Sequence, residues 1–173
     1  MSSAFETTML PHLDAAYNLA RWLMRNEHDA RDCVQDAYLR AFQAYARFRG
    51  NDGKPWLLTI VRNVCYSRLR QSRGVEPAGV FDETIHGAVD DSAEQAERLR
   101  REAGIELLQR TMETLPEAMR EVIVLHDLEQ LSYKEIATVV GIPLGTVMSR
   151  LARARLRLQQ EMLRQLNQEE TAP

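Results

Sequence analysis

No apolar run in the chain approaches the roughly 18 residues that a membrane-crossing helix needs. The opening MSSAFETTMLPHLD also has no basic stretch leading into an apolar one, as a secretory leader would. A cytoplasmic location is therefore expected. Cysteine is scarce: Cys33 and Cys65 are the only two, far apart and without a CxxC partner, which excludes a disulfide framework and a zinc-site spacing. Both sit among apolar helical residues and read either as small core residues or as a redox-responsive pair. The four histidines, His12, His28, His86 and His126, are scattered without ligand spacing, so neither a metal nor a cofactor is expected. No alternating β-period appears, which makes the fold class all-α. The Ser, Tyr and acidic residues form no nucleophile-and-base arrangement and no paired-carboxylate site, so an enzyme such as a recombinase is not supported.

One stretch lacks cations altogether. Residues 74–97 hold no Lys or Arg and 7 Asp or Glu, whereas residues 1–73 hold 11 cations against 7 acids and residues 98–173 hold 11 of each. The net charge of −3 therefore reflects one acidic block, and the segments beside it are basic or balanced, with local arginine clusters that suit nucleic acid. The block has Pro, three Gly and no sustained period, and reads as an acidic flexible linker between two small helical domains, 1–73 and 98–173.

Within the first domain, Phe5, Met9, Leu13, Ala16, Leu19, Ala20, Leu23 and Met24 recur at helical intervals and predict one amphipathic helix over 5–25. A second helix is predicted from an N-cap at Asp29, burying Cys33, Val34, Ala37, Tyr38, Ala41, Phe42 and Tyr45. Its other face shows Asp32, Gln35, Asp36 and Arg40, which composition alone assigns to solvent. The turn residues of GNDGKP predict a loop, and Trp56 opens a third helix. Arg62, Arg68, Arg70 and Arg73, interleaved with Trp56 and Tyr66, suit phosphates and unstacked bases, or equally a cationic terminus favoured by the helix dipole.

In the second domain, helices are predicted over Leu99–Leu115 and Glu117–Asp127, with Leu107, Leu108, Met112, Leu115, Val122, Ile123 and Leu125 as core. LSYKEIATVVGIPLGTVMSRLARARLR then reads as two helices and a tight turn. Ser132 and Glu135 have capping-box spacing, Gly141 supplies the exit and Pro143 permits a new helix but no continuation. Val147, Leu151, Ala154 and Leu158 share the inward side at about 100° per residue. Met148, Ser149, Ala152 and Arg153 share the outward side, with Arg150, Arg155 and Arg157 towards its edges. This is either a DNA-reading helix or the solvated basic face of a helical hairpin.

Taken together, DARDCVQDAYLRAF, FRGNDGKPWLLTIVRNVCYSRLR and LPEAMREVIVLHDLEQLSYKEIATVVGIPLGTVMSRLARAR resemble the extracytoplasmic function group of bacterial sigma factors along nearly the whole chain. The resemblance implies a non-catalytic subunit that binds core RNA polymerase, recognises the minus-35 and minus-10 promoter elements and opens DNA. By position, Asp32, Gln35, Asp36 and Arg40 would meet the polymerase. Asn51, Asp52, Gly53 and Lys54 would capture an extruded minus-10 base, and Trp56, Arg62, Asn63 and Tyr66 would lie along the separated strand. Met148, Ser149, Ala152 and Arg153 would face minus-35 bases, with Thr146, Arg150 and Arg157 on phosphates. The chain departs from the family pattern at Cys33, Ser67 and Met148. The last replaces a common cation and suits a thymine methyl better than a polar base edge. A separate anti-sigma factor is the implied regulator, and a stand-alone helix-turn-helix regulator with an N-terminal sensing or dimerisation domain is the competing reading.

Overall fold

The structure, a computed structural model, describes residues 2–73 and 92–172. Every described element is helical: α1 (Ser2–Met9), α2 (Leu13–Met24), α3 (Glu27–Ala44), α4 (Gly53–Gln71), α5 (Ser92–Thr114), α6 (Glu117–Ile123), α7 (Tyr133–Val140) and α8 (Leu144–Thr171). Short 3-10 turns follow α1 and α3, and a π-helical segment, Val124–Leu128, follows α6. The acidic stretch at 74–91 falls outside the described residues.

Where the elements differ from the periodicity reading, the cause is local. The single helix expected over 5–25 is divided at Leu10–His12 because Pro11, near the start of that turn, has no amide hydrogen to continue the ladder. The second helix starts earlier than Asp29: the Asn26 carboxamide accepts from the Asp29 amide at 3.0 Å, so Asn26 is the cap. Likewise α4 starts at Gly53 rather than Trp56, because the Asp52 carboxylate caps the Lys54 amide at 3.0 Å. Helix α5 begins at Ser92, so residues 92–97, expected in the linker, are helical.

Helices α2, α3 and α4 pack mutually around Ala16, Leu19, Leu23, Cys33, Ala37, Leu57, Val61 and Cys65. Phe5 sets its ring edge-on to Tyr38, Phe42 and Tyr45, with centroids 5.2 to 6.4 Å apart, fastening α1 to α3. The second unit places α6 and α7 against α8 around Val122, Leu125, Ile136, Val147 and Leu151. Leu108, expected in that core, is 37% exposed, as is 49% of Phe42 in the first unit. The two units are not held apart. Helix α4 packs on α7, and α2 packs on α6 and the π segment, so one hydrophobic cluster runs through both.

Candidate nucleic-acid and polymerase interface

Helix α7 owes its start to a complete capping box. The Ser132 hydroxyl accepts from the Glu135 amide at 3.1 Å, and the Ser132 amide donates to the Glu135 carboxylate at 2.7 Å. It ends at Gly141, whose φ of 76° lies in the left-handed region that favours glycine. After a two-residue turn the chain enters α8 at 100° to α7, the crossing of a helix-turn-helix. Replacing Ser132 by Ala removes one cap acceptor and is expected to lower stability by about 1 kcal/mol; chemical denaturation measures it, and an unchanged midpoint would refute the assignment.

On α8 the inward side is as expected, with Val147, Leu151 and Ala154 buried and Leu158 partly so. Met148, Ser149, Ala152, Arg153 and Arg157 are exposed together, while Thr146 and Arg150 are half-buried. Arg150 lies close enough to the buried Glu121 for its charge to favour that carboxylate. Arg155 is not available at the edge of this face, because a fork of two hydrogen bonds binds it to Asp127, which holds its guanidinium more firmly protonated than usual.

The polymerase candidates lie along α3. Asp36 and Arg40 pair at 3.0 Å across one helical turn, and Gln35 is exposed beside them. Asp32 instead faces α4, 3.3 Å from Arg68, with His28 at 3.5 Å. A neighbouring groove is lined by Leu10, Leu13, Asp14, Tyr17, Val34 and Gln35, and its two leucines are among the exposed apolar residues.

The minus-10 candidates divide into two sets. Asn51 and Asn63 are exposed and Trp56 is half-buried against Phe48, ring centroids 5.0 Å apart. Asp52 is occupied as a cap, and Gly53 is buried where a Cβ would stand 3.1 Å from Met9 and Thr8, so its smallness serves α1 packing. Lys54, Arg62 and Tyr66 are all engaged by the C-terminal unit. The Lys54 ammonium donates to the Glu129 carbonyl at 2.8 Å and lies 3.2 Å from its carboxylate, which also accepts from Asn18 at 2.8 Å. The Glu121 carboxylate, fully buried, accepts from the Arg62 guanidinium and, at 2.9 Å, from the Tyr66 hydroxyl. Arg62 also lies 4.3 Å over the Tyr66 ring.

Burial pushes the Glu121 carboxyl above its ordinary value, against the lowering by Arg62, Tyr66 and Arg150. Burial, with Glu121 beside it, also pushes the Tyr66 hydroxyl up. Neither Glu121 nor Glu129 was singled out from the sequence. The available signal was phase: Glu121 lies three and four residues before Val124 and Leu125, both fully buried, and so shares their side of the helix. Next to it Arg120 is fully buried, with no hydrogen-bond partner among the described residues on any guanidinium nitrogen. Among the described residues no group of His, Cys, Asp and Glu could hold a metal ion, and no single helix is long and apolar enough to cross a membrane.

Known proteins resemble the chain in sequence and fold. The family described as Sigma-70 region 2 matches residues 9–75, and that described as Sigma-70, region 4 matches residues 105–158. The chain is 31% identical over 147 residues to the ECF RNA polymerase sigma factor SigE of Mycolicibacterium smegmatis, covering 85% of this chain and 57% of that relative. It is 33% identical over 156 residues to the ECF RNA polymerase sigma factor SigM of Mycobacterium tuberculosis, covering 90% and 75%. Among solved structures, the sigma factor RpoE in complex with the anti-sigma factor NepR from Bartonella quintana superposes with a TM-score of 0.71 at 32% identity, over 92% of this chain and 96% of that one. With both sigma regions matched in order, and a relative of one-third identity covered over three-quarters of its length, the chain belongs to the extracytoplasmic function sigma factors of RNA polymerase.

Proposed function

We propose that the chain is a promoter-specificity subunit that binds core RNA polymerase, reads minus-35 and minus-10 elements and opens DNA without chemical catalysis, in the cytoplasm. The observation that carries this reading is the outward strip of α8, Met148, Ser149, Ala152 and Arg153, exposed over a buried seam on a helix whose N-terminal half leaves the turn at 100°. Such a helix enters a major groove with its first turns towards the bases. Residues 1–73 supply the polymerase-binding and minus-10 functions, residues 98–173 the minus-35 function, and the acidic stretch from residue 74 connects them. Asp36, Arg40 and Gln35 form the polymerase face. Asn51, Trp56, Asn63, Lys54, Arg62 and Tyr66 hold the separated strand.

Because Lys54, Arg62 and Tyr66 are bound to Glu129 and Glu121 here, promoter engagement on this reading requires the two units to part. A protein that spans both units would keep them together. RpoE of Bartonella quintana is held by an anti-sigma factor, and we assign this chain a regulator of the same kind.

Co-elution with core polymerase and transcription from a matched promoter test the reading, and a chain that fails to co-elute would sink it. A stand-alone regulator would instead bind DNA without polymerase. Arg153→Ala is expected to weaken minus-35 binding by about 1 to 3 kcal/mol if the guanidinium reads a base pair edge. An unchanged promoter preference in competition binding would remove Arg153 from the reading set.

A further inference from the structure

The π segment Val124–Leu128 and the turn after it carry two acids that reach in different directions. Glu129 holds Lys54 of the first unit. Asp127 instead faces α8, where its carboxylate accepts a fork from the Arg155 guanidinium, one bond through Nε at 3.2 Å and one through a terminal nitrogen. Arg155 stands roughly three turns beyond the start of α8 at Leu144. The fork therefore ties the outward helix back to the segment that precedes α7. The Asp127 end of it is stiff. The Glu129 amide donates to the Val124 carbonyl at 2.9 Å, the Gln130 amide to the His126 carbonyl at 3.1 Å and the Leu131 amide to the Leu125 carbonyl at 2.9 Å. His126 Nδ1 lies 2.9 Å from the Leu131 carbonyl oxygen, and the ring rests against Tyr133, the first residue of α7, with centroids 4.8 Å apart. Gln130 holds a φ of 60°, a left-handed conformation that a residue with a Cβ keeps only where its surroundings impose it. Such outliers and π turns concentrate at functional sites.

The fork contributes little to stability. Its arginine and aspartate side chains are 47% and 35% exposed, and an ion pair so open to solvent adds almost nothing to the folding free energy. It fixes direction all the same, because a planar guanidinium bonds both carboxylate oxygens from one orientation only. Beside the outward strip, the rest of the hold on α8 is the seam of Val147, Leu151 and Ala154, apolar packing that has no direction of its own.

We propose, resting on the minus-35 function given above, that Asp127 is the positioning residue of the reading helix: through Arg155 it sets the roll of α8, and with it the aim of Arg153 at the bases. At about 100° per residue, Arg153 and Arg155 point about 200° apart. The fork thus grips one flank of α8 while Arg153 is presented from the other. On a helix about 10 to 12 Å across, a roll of about 20° carries a side-chain tip by about 2 Å. Hydrogen-bond lengths span only about 0.5 Å. Arg153 therefore loses a two-point base contact to a roll that leaves the apolar seam closed. Asp127 itself touches no DNA and acts only through Arg155.

Core polymerase is loaded with the full chain, and binding is measured to duplexes bearing the minus-35 element that the parent holoenzyme selects from random sequence, and to duplexes with that element scrambled. Asp127→Asn keeps the size of the side chain but withdraws its charge and one acceptor, and should lower the ratio of the two affinities by about fivefold or more. Arg155→Lys, which keeps the cation and cannot form the fork, should lower it as much, and it carries the test if Asp127→Asn loses helix content by circular dichroism. Arg153→Ala added to either should cost little further, because a base contact already lost is not lost twice. A pair that served stability alone would shift the melting temperature and leave the ratio of the folded holoenzyme where it was. A parental ratio in either folded variant overturns the proposal, and so does a loss that multiplies in full with that of Arg153→Ala. A parent holoenzyme that selects no minus-35 element sinks the minus-35 function itself, and the role of Asp127 falls with it.

Discussion

A chain in which Arg120 is replaced by Met is expected to be more stable than the parent, by about 1 to 4 kcal/mol, and more firmly closed between its two units. Arg120 is fully buried with three unpartnered nitrogens. Burial first, and then the neighbouring Arg25 cation, push its pKa down to about 10 from 12.5. Each pKa unit corresponds to about 1.4 kcal/mol, so the guanidinium remains charged at neutral pH and its burial costs on the order of 3 kcal/mol. The sign follows: a cation with a depressed folded pKa destabilises fully below that pKa, and the penalty fades only as pH rises through about 10 towards the unfolded value. Methionine keeps an unbranched apolar stem and removes the charge. Since the charge of Arg25, in the first unit, acts on Arg120, part of the penalty belongs to closure. Thermal unfolding together with small-angle scattering reads both effects. A higher midpoint with an unchanged radius of gyration would place the burial cost within the C-terminal unit alone.

Its immediate neighbour should act in the opposite direction. Glu121→Ala leaves Arg62 and Tyr66 without their acceptor across the boundary, and breaking a buried ion pair costs about 3 to 5 kcal/mol. The expected result is a chain with parted units, a larger radius of gyration and faster association with core polymerase. Loss of helix content, or an unchanged radius, would show that Glu121 does not hold the units together. The parent should also respond to acid. Because the folded Glu121 carboxyl titrates above its ordinary value, the closed form binds the extra proton. Closure is strongest near the ordinary carboxylate range and weakens as pH rises through the raised value. Glu121→Gln should abolish that dependence.

The sequence disclosed whatever is written in neighbouring residues. The capping box at Ser132, the left-handed exit at Gly141 and the inward phase of Val147, Leu151 and Ala154 are local rules, and each is present in the structure. Misreadings came where two local rules compete. Pro11 overrode an unbroken apolar period, and Asn26 outranked Asp29 because only Asn26 has the extended backbone of a cap. The π segment after Ile123 was not legible, since the Glu129 amide reaching the Val124 carbonyl at 2.9 Å leaves no mark on hydropathy. Least visible were the bonds of Glu121 and Glu129 to Arg62 and Lys54, which join residues 59 and 75 positions apart. Similar separations hid the engagement of three of the eight minus-10 candidates, Lys54, Arg62 and Tyr66.

The bond between Lys54 and Glu129 bears on how ionic strength should act. A cation that meets a phosphate from bulk solvent contributes fully to the loss of affinity with added salt. On the proposed reading, Lys54 instead leaves a carboxylate of its own chain, a pair that salt also loosens. The two responses oppose each other, so the slope of promoter affinity against salt should be shallower than a tally of phosphate contacts requires. On the proposed reading, the Lys54–Glu129 bond is thus an internal rival to DNA.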